Sequence, residues 1–296
     1  MVALDAAYAM TSLARDIAPS SLPVQADLEH LPFHRDAFGG SWARASYVHV
    51  ARARLPWALQ ELHGSLRVGA PAEFVYRFGA DRDIVDEEDD EFPGRFFAEW
   101  GTDALTDIHV GAGFDVHECS YDGGEWIVLR ATRARTLPDY VDTGMRLLVC
   151  GLNPSIYSAD RGVGFARPGN RFWPAALAAG VVTRDRDPRH ALTAHGMGMT
   201  DLVKRATPRA DELTHDEYRA GVARLGRLVS WLRPKAVCFV GLAGYRAAVD
   251  RRAQPGPLLE GFEGAAAYLM PNPSGANAHV QVDDLVAHLR AAVALS

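Results

Sequence analysis

No stretch of this chain approaches the ~20 consecutive apolar residues that a membrane-spanning helix needs. The opening residues, Met1 to Asp5, lack the basic segment and apolar run of a secretory signal. Cysteine is scarce: Cys119, Cys150 and Cys238 are the only three in 296 residues, and they stand far apart. With no C-x-x-C pair and no fourth thiolate, neither a structural zinc site nor an iron–sulfur cluster is expected. Of eleven histidines, only His30 and His34 have H-x-x-x-H spacing. Pro32 between them opposes the helix that would align both rings, and no Glu follows His30 as in a zinc-protease motif. The expectation is a cytoplasmic protein with reduced thiols, no membrane association, no metal and no cofactor.

What is present describes an ordinary globular chain, 48% apolar and 23% charged, long enough for two domains. The net charge of −6 conceals an asymmetry. Residues 1–135 carry 12 Lys and Arg against 22 Asp and Glu, a net of −10. Residues 136–296 carry 19 against 15, a net of +4, so the half able to meet a polyanion is the second. Thr136-Leu137-Pro138-Asp139-Tyr140, followed by Gly144, has the Pro and Gly punctuation of a joint. Domains of 1–135 and 136–296 follow.

In the first half, residues 24–27, 42–45, 73–76 and 126–129 read as strands, and residues 51–66 and 95–110 as helices with apolar positions near 3.6 spacing. The acidic run from Asp81 to Glu91 reads as a solvated loop. In the second half, strands are expected at 146–151, 196–201, 236–241 and 266–270. Helices are expected at 170–179, 215–232, 242–252 and 280–294. Thr214 with Glu217 three residues on is a capping-box pattern at the start of the second of these helices. Strands alternating with helices imply an α/β fold with a parallel sheet and right-handed crossovers.

Three segments of the second half concentrate the chemistry. Gly151-Leu152-Asn153-Pro154-Ser155 directly follows the apolar run 147–150. Gly164-Phe165-Ala166-Arg167-Pro168-Gly169-Asn170-Arg171-Phe172-Trp173 comes next. Pro271-Asn272-Pro273-Ser274-Gly275-Ala276-Asn277-Ala278-His279 directly follows the apolar run 267–270. Loops that leave the carboxyl ends of parallel strands border the ligand crevice of an open sheet. Taken singly, Asn-Pro after a strand is a turn, Phe165 a core aromatic and the third segment a generic loop.

Together the three segments resemble the mismatch-specific uracil- and thymine-DNA glycosylases, over essentially all of residues 136–296. The resemblance implies a uracil-DNA glycosylase-like parallel-sheet sandwich acting on uracil, G·U pairs above all, in double-stranded DNA. Asn153 matches the water-positioning asparagine; an amide can orient water through its carbonyl oxygen but cannot take a proton at neutral pH. Phe165 matches the aromatic that stacks on the flipped base, with the backbone around Leu152 and the hydroxyl of Ser158 as partners for the base edge. Asn272, Pro273, Ser274, Gly275, Ala276 and Asn277 match the loop that enters the duplex. Ala276 and Ala278 stand where some relatives carry a bulky wedge and an arginine, which weakens the case for strong opposite-base preference. Arg167, Arg171 and Lys204, with Arg205, are candidate phosphate contacts, and Asn170 is a candidate helix cap. His279 reads equally as a helix-start residue or a DNA contact. No lysine nucleophile stands in the motifs, so a monofunctional enzyme without strand cleavage is implied.

The first half resembles a class I S-adenosylmethionine-dependent methyltransferase that begins late, a partial Rossmann-like domain. Val2-Ala3-Leu4-Asp5 resembles the family's second strand with its ribose-binding acid. Ala26-Asp27-Leu28-Glu29 resembles the segment whose acid lies near the adenine, and Leu62 to Gly69 the turn after the fourth strand. Asp5 and Asp27 are thus vestigial cofactor-binding positions. The first strand and its glycine-rich loop would precede residue 1, and lacking a loop that needs glycine's freedom at positive φ argues against S-adenosylmethionine binding. Two other functions stay open: a lesion-binding module without turnover, and a methyltransferase with a missing N-terminus.

Overall fold

The computed structural model describes residues 1–86, 94–275, 277 and 280–296. The chain forms two compact units. One comprises Met1–His109 and Phe114–Arg133, the other Val110–Gly113 and Ala134–Ser296.

The first unit is α/β. Strand β1 (Val2–Asp5) and strand β2 (Leu22–Gln25), joined by helix α1 (Tyr8–Ile17), form a parallel pair with Asp5 opposite Gln25. A second sheet contains β3 (Ser41–Arg44), then, after α2 (Leu55–Ser65), β4 (Pro71–Phe78), β5 (Asp83–Asp86) and β6 (Arg95–Trp100). Helix α3 (Thr102–Gly111) and strands β7 (Phe114–Tyr121) and β8 (Trp126–Arg133) complete the series. The order is β5-β6-β4-β8-β7, and β3 lies parallel on β4. Residues 95–110, expected as one helix, are a strand and a helix separated by Gly101. Arg-Phe-Phe-Ala-Glu-Trp is rich in aromatics that fit a pleated, half-buried surface, and the helical spacing begins only at Thr102. Phe74, Tyr76, Trp100, Phe114, Ile127 and Leu129 fill the core. His109 is buried with them, its Nε2 3.1 Å from the Tyr76 hydroxyl, and burial lowers its pKa to about 4.

The second unit carries five strands. They are β9 (Leu147–Gly151), β10 (Met197–Asp201), β11 (Ala236–Val240), β12 (Gly256–Phe262) and β13 (Ala265–Met270), in the order β10-β9-β11-β13-β12. β10, β9, β11 and β13 are parallel, and β12 is an antiparallel edge strand. The unbroken apolar runs at β9 and β11 follow from burial on both faces, which removes any need for alternation. Helices α4 (Ile156–Arg161), α5 (Phe172–Ala178), α6 (Pro188–His195), α7 (His215–Leu232), α8 (Leu242–Ala248) and α9 (Val282–Val293) make the connections. Leu147, Val149, Met197, Met199, Cys238 and Met270 share one face with Phe172 and Trp173 of α5 and Leu285 and Leu289 of α9. By the period of two, Cys150, Thr200 and Phe239 turn to the other face. There Phe239 meets Tyr245 of α8, and Thr200 meets Arg224 of α7. The capping box at α7 forms as expected: Thr214 Oγ1 accepts from Glu217 N, and Glu217 returns a bond to Thr214 N. Helices α4 and α6 and strand β12 have no strong periodic signature and were not expected.

A buried carboxylate anchors this unit. Asp139 Oδ1 accepts hydrogen bonds from Lys204 Nζ and Thr200 Oγ1, both at 2.7 Å, and Oδ2 accepts from Arg224 Nη1 at 2.8 Å. The Asp139, Lys204 and Arg224 side chains are 3%, 9% and 7% exposed, so little solvent screens them. Burial alone would raise the Asp139 carboxyl; Lys204 and Arg224 more than reverse it, and the group lies below its ordinary value. Replacing Asp139 by Ala leaves two buried cations uncompensated and is expected to cost about 3–5 kcal/mol. Urea denaturation at neutral pH measures it; a loss under ~1 kcal/mol would mean the network contributes little.

Candidate active site

The strand ends fix the site. Register pairs Asp201, the last residue of β10, with Gly151, the last of β9. Beyond that pair the two chains continue side by side: Leu202 N donates to Gly151 O, Val203 N to Leu152 O and Thr207 N to Pro154 O. Segment 201–207 thereby lies along the Gly151–Ser155 loop. Lys204, held by Asp139, pins the middle of that segment, and Arg224 Nη2 holds Asp201 O at 2.8 Å.

Asn153 depends on this arrangement. Its amide nitrogen donates to Thr207 Oγ1 at 2.8 Å and to Arg205 O at 3.0 Å, with a longer contact to Pro154 O. Thr207 Oγ1 in turn donates to Arg209 O. Fixing the NH2 end settles the amide's orientation and turns Oδ1 away from these partners; among the described residues Oδ1 accepts no hydrogen bond. Leu152 turns its side chain toward α8 and its carbonyl to Val203 N. The isobutyl group packs at Gly244 of α8, where an added Cβ would overlap Leu152 Cδ1.

Phe165 lies in the left-handed region, φ 56°, which a bulky residue adopts only when its surroundings impose it. They do so here. Its ring stacks on Phe172, centroids 4.4 Å apart and planes at 24°, and Trp173 Nε1 donates to the adjacent Gly164 O at 2.8 Å. The Phe165 N–H meets no hydrogen-bond acceptor among the described residues. Leu137, Tyr140, Gly164, Phe165, Met199 and Asp201 line a cleft with about 300 Å³ of space free of protein atoms, part of it open solvent.

Asp201 is the lining residue that the sequence did not single out. Its side chain shares a face with Met197 and Met199, hence with Phe165. Glycine at 151 makes the room: a Cβ there would collide with Asp201 Oδ1 and stand 3.4 Å from Phe165 Cζ. Burial raises the Asp201 carboxyl, Lys204 and Arg224 lower it, Asp139 raises it, and the balance pushes it up to about 6. An acid ending an otherwise apolar strand, at the register position of a glycine, was the available signal. Thr207 and Asp139 act across 54 and 65 residues, on Asn153 and Lys204, and local pattern carries no trace of either.

The other expected residues fall as follows. Ser158 is buried in the first turn of α4, where its N–H and hydroxyl bond the Ser155 cap; it does not line the cleft. Asn170 Oδ1 accepts from Phe172 N at 2.9 Å, although the N-cap position of α5 is Arg171. Arg167 is exposed. Arg171 spends its guanidinium on the third segment, donating to the carbonyls of Ser274 (2.7 Å), Asn277 (2.8 Å) and Val280. Its backbone N–H bonds Pro273 O at 3.0 Å. Asn272 Oδ1 accepts from Ser274 N, and Asn277 Nδ2 donates back to Asn272 O, closing a compact turn. Gly275 lies against Gly169 O, 2.7 Å from where a Cβ would stand. Ala276, Ala278 and His279 lie outside the described residues. In the first unit, Asp5 accepts from Ala7 N and Asp27 from Glu29 N, each closing a local turn after its strand. Among the described residues no three His, Cys, Asp or Glu side chains are placed to hold a metal ion. No helix among them is long and apolar enough to cross a membrane.

Residues 138–293 match the family model described as the uracil DNA glycosylase superfamily. The chain is also similar to solved S-adenosylmethionine-dependent methyltransferases. One from Methanosarcina mazei shares 14% identity over 45% of this chain and 81% of its own, TM-score 0.39. One from Mesorhizobium loti shares 14% over 45% and 79%, TM-score 0.36. A possible histamine N-methyltransferase from Thermotoga maritima shares 18% over 44% and 72%, TM-score 0.34.

Arg171→Ala removes four side-chain bonds to main-chain carbonyls, those of Pro273, Ser274, Asn277 and Val280. Amide exchange at Ser274 and Asn277 is expected to quicken at least about tenfold, the equivalent of one lost hydrogen bond to a charged group. Exchange at β9 amides should hold steady, and unchanged loop exchange would refute the clip.

Proposed function

The chain belongs to the uracil DNA glycosylase superfamily, and on that premise we propose that it hydrolyses the N-glycosidic bond of uracil in double-stranded DNA, G·U pairs first, leaving an abasic site. The observation that carries the reading is Asn153. Its amide is clamped through nitrogen by Thr207 and Arg205, which leaves the carbonyl oxygen for a water, on the loop whose Gly151 stands next to Phe165.

The extruded nucleotide places its base against the Phe165 ring, a contact worth about 1–3 kcal/mol and tolerant of base identity. Asn153 Oδ1 accepts a hydrogen bond from the attacking water and aims its oxygen at C1′. The N1–C1′ bond breaks with its electron pair passing to the base, which departs as an anion. The water delivers hydroxyl to C1′ and its remaining proton goes to solvent, from which the base is later protonated. The unbonded N–H of Phe165 and the main chain at Leu152 suit the anion's oxygens. Loop 272–277, braced by Arg171, is the element proposed to enter the duplex, and Arg167 the proposed phosphate contact. Lys204 Nζ is bound to Asp139 and no lysine lines the cleft, which supports a monofunctional hydrolase.

Single-turnover base release from a duplex with one G·U pair tests the proposal. Asn153→Ala is expected to slow the step about 10²–10³-fold, the range for removing one positioned polar group. Borohydride should trap no enzyme–DNA adduct. Tight binding of the duplex with no abasic product would replace the hydrolase with a lesion-binding module.

A further inference from the structure

We propose that Arg251 and Arg252, on the turn that leads into β12, bind backbone phosphates of the DNA strand opposite the extruded nucleotide. This rests on the glycosylase reading above and adds to it a contact on the second strand.

The cations expected near the motifs are largely consumed inside the protein. Arg171 holds loop carbonyls, Lys204 is bound to Asp139, and Arg205 pairs with Glu217. Elsewhere in the unit Arg135 pairs with Asp160, Arg209 with Asp211 and Arg219 with Asp216. Arg251 and Arg252 differ. Both are exposed, and among the described residues neither guanidinium forms a hydrogen bond or an ion pair. Asp250, the carboxylate beside them in the chain, turns Oδ1 to the Arg252 N–H at 2.9 Å instead.

The turn that carries them is pinned. Arg246 of α8 donates from Nε to Ala253 O at 2.8 Å, Gln254 Nε2 donates to Arg252 O at 3.2 Å, and Ala253 is buried. Fixing the main chain around the pair in advance lowers the ordering cost of engaging a ligand.

Place in the fold selects that ligand. Gly241 N bonds Met270 O, and Gly256, the first residue of β12, pairs with Leu269. The turn therefore lies at the carboxyl end of the parallel strands. Across that end come the Phe165 cleft at β10 and β9, the 272–277 loop leaving β13, and then the arginine turn ahead of β12. Three strand spacings, on the order of 14 Å, separate β9 from β12, a span comparable with the roughly 12 Å width of a major groove. A loop that parts a duplex leaves one backbone on each side of itself. The cleft takes the strand with the extruded nucleotide, and the arginines face the other. Guanidinium and phosphate diester both keep their charges at every physiological pH, so the contact is set by salt rather than by protons.

The test measures affinity of the intact chain for a duplex in which guanine faces 2′-fluoro-2′-deoxyuridine, which resists hydrolysis, between about 50 and 200 mM salt. Arg251→Gln with Arg252→Gln is expected to bind on the order of tenfold more weakly at the low end, and to lower the slope of log affinity against log salt by about 1 per arginine. Lysine at both positions should restore most of each, since it serves phosphate as a point charge. Arg233→Gln with Lys235→Gln removes the same charge beside the first residue of β11, at the other end of the sheet, and should change neither. Neutral methylphosphonates in the strand opposite the uracil should weaken wild type and leave the glutamine variant unaffected. The same groups in the uracil strand should weaken both alike. A glutamine variant with the wild-type slope, or an equal loss from the Arg233 and Lys235 control, would overturn the site. Single-turnover uracil release by wild type, followed alongside, reports on the glycosylase separately: release without arginine-dependent binding overturns the site alone, and arginine-dependent binding without release overturns hydrolysis alone.

Discussion

The second unit is organised around one carboxylate placed where water cannot reach it. Asp139 sits between Lys204 and Arg224, and a buried ion of either sign without the other would be expensive. Because Lys204 belongs to the segment after β10 and Arg224 to α7, satisfying Asp139 brings a loop, a helix and a strand end to fixed positions. The loop then presents Arg205 O and Thr207 Oγ1 to Asn153. Orientation of the Asn153 amide therefore traces back, through covalent chain and a handful of short bonds, to charge balance behind the sheet. The acidic and basic residues of this half serve structure before they serve any ligand.

A second constraint is steric and works through glycine. Gly151 clears the floor of the cleft for Asp201, Gly244 makes room for the Leu152 side chain, and Gly275 approaches Gly169 O closely. None of these serves flexibility. Each is a place where two segments distant in sequence come closer than a methyl group would permit, and together they draw three loops toward one end of a parallel sheet.

How much of this was legible depended on range. The parallel strands were readable because a strand buried on both faces is an uninterrupted apolar run, and β9, β11 and β13 are such runs, β9 ending on Gly151 and the other two followed by Gly241 and Pro271. The α7 capping box was readable because it spans three residues. At 95–110 apolar residues at near-helical spacing concealed a strand, since Phe96, Phe97 and Trp100 fit either period until Gly101 breaks the run. Arg171 looked like a phosphate ligand because an arginine among glycines and an asparagine gives no hint of carbonyls more than a hundred residues away. Lys204 misled in the same way. Composition reports the presence of a charge; whether a partner waits inside the protein is a property of the folded chain.

Phe165 carries an implication of a different kind. A residue with a bulky side chain held at φ 56° occupies a conformation that costs of order 1–3 kcal/mol, and that only glycine adopts freely. The most favourable residue for the backbone at this position is therefore the one that would delete the aromatic wall of the cleft. Glycine would relieve the strain but forfeit the stacking of the ring on Phe172, so backbone and side chain pull in opposite directions at this one residue.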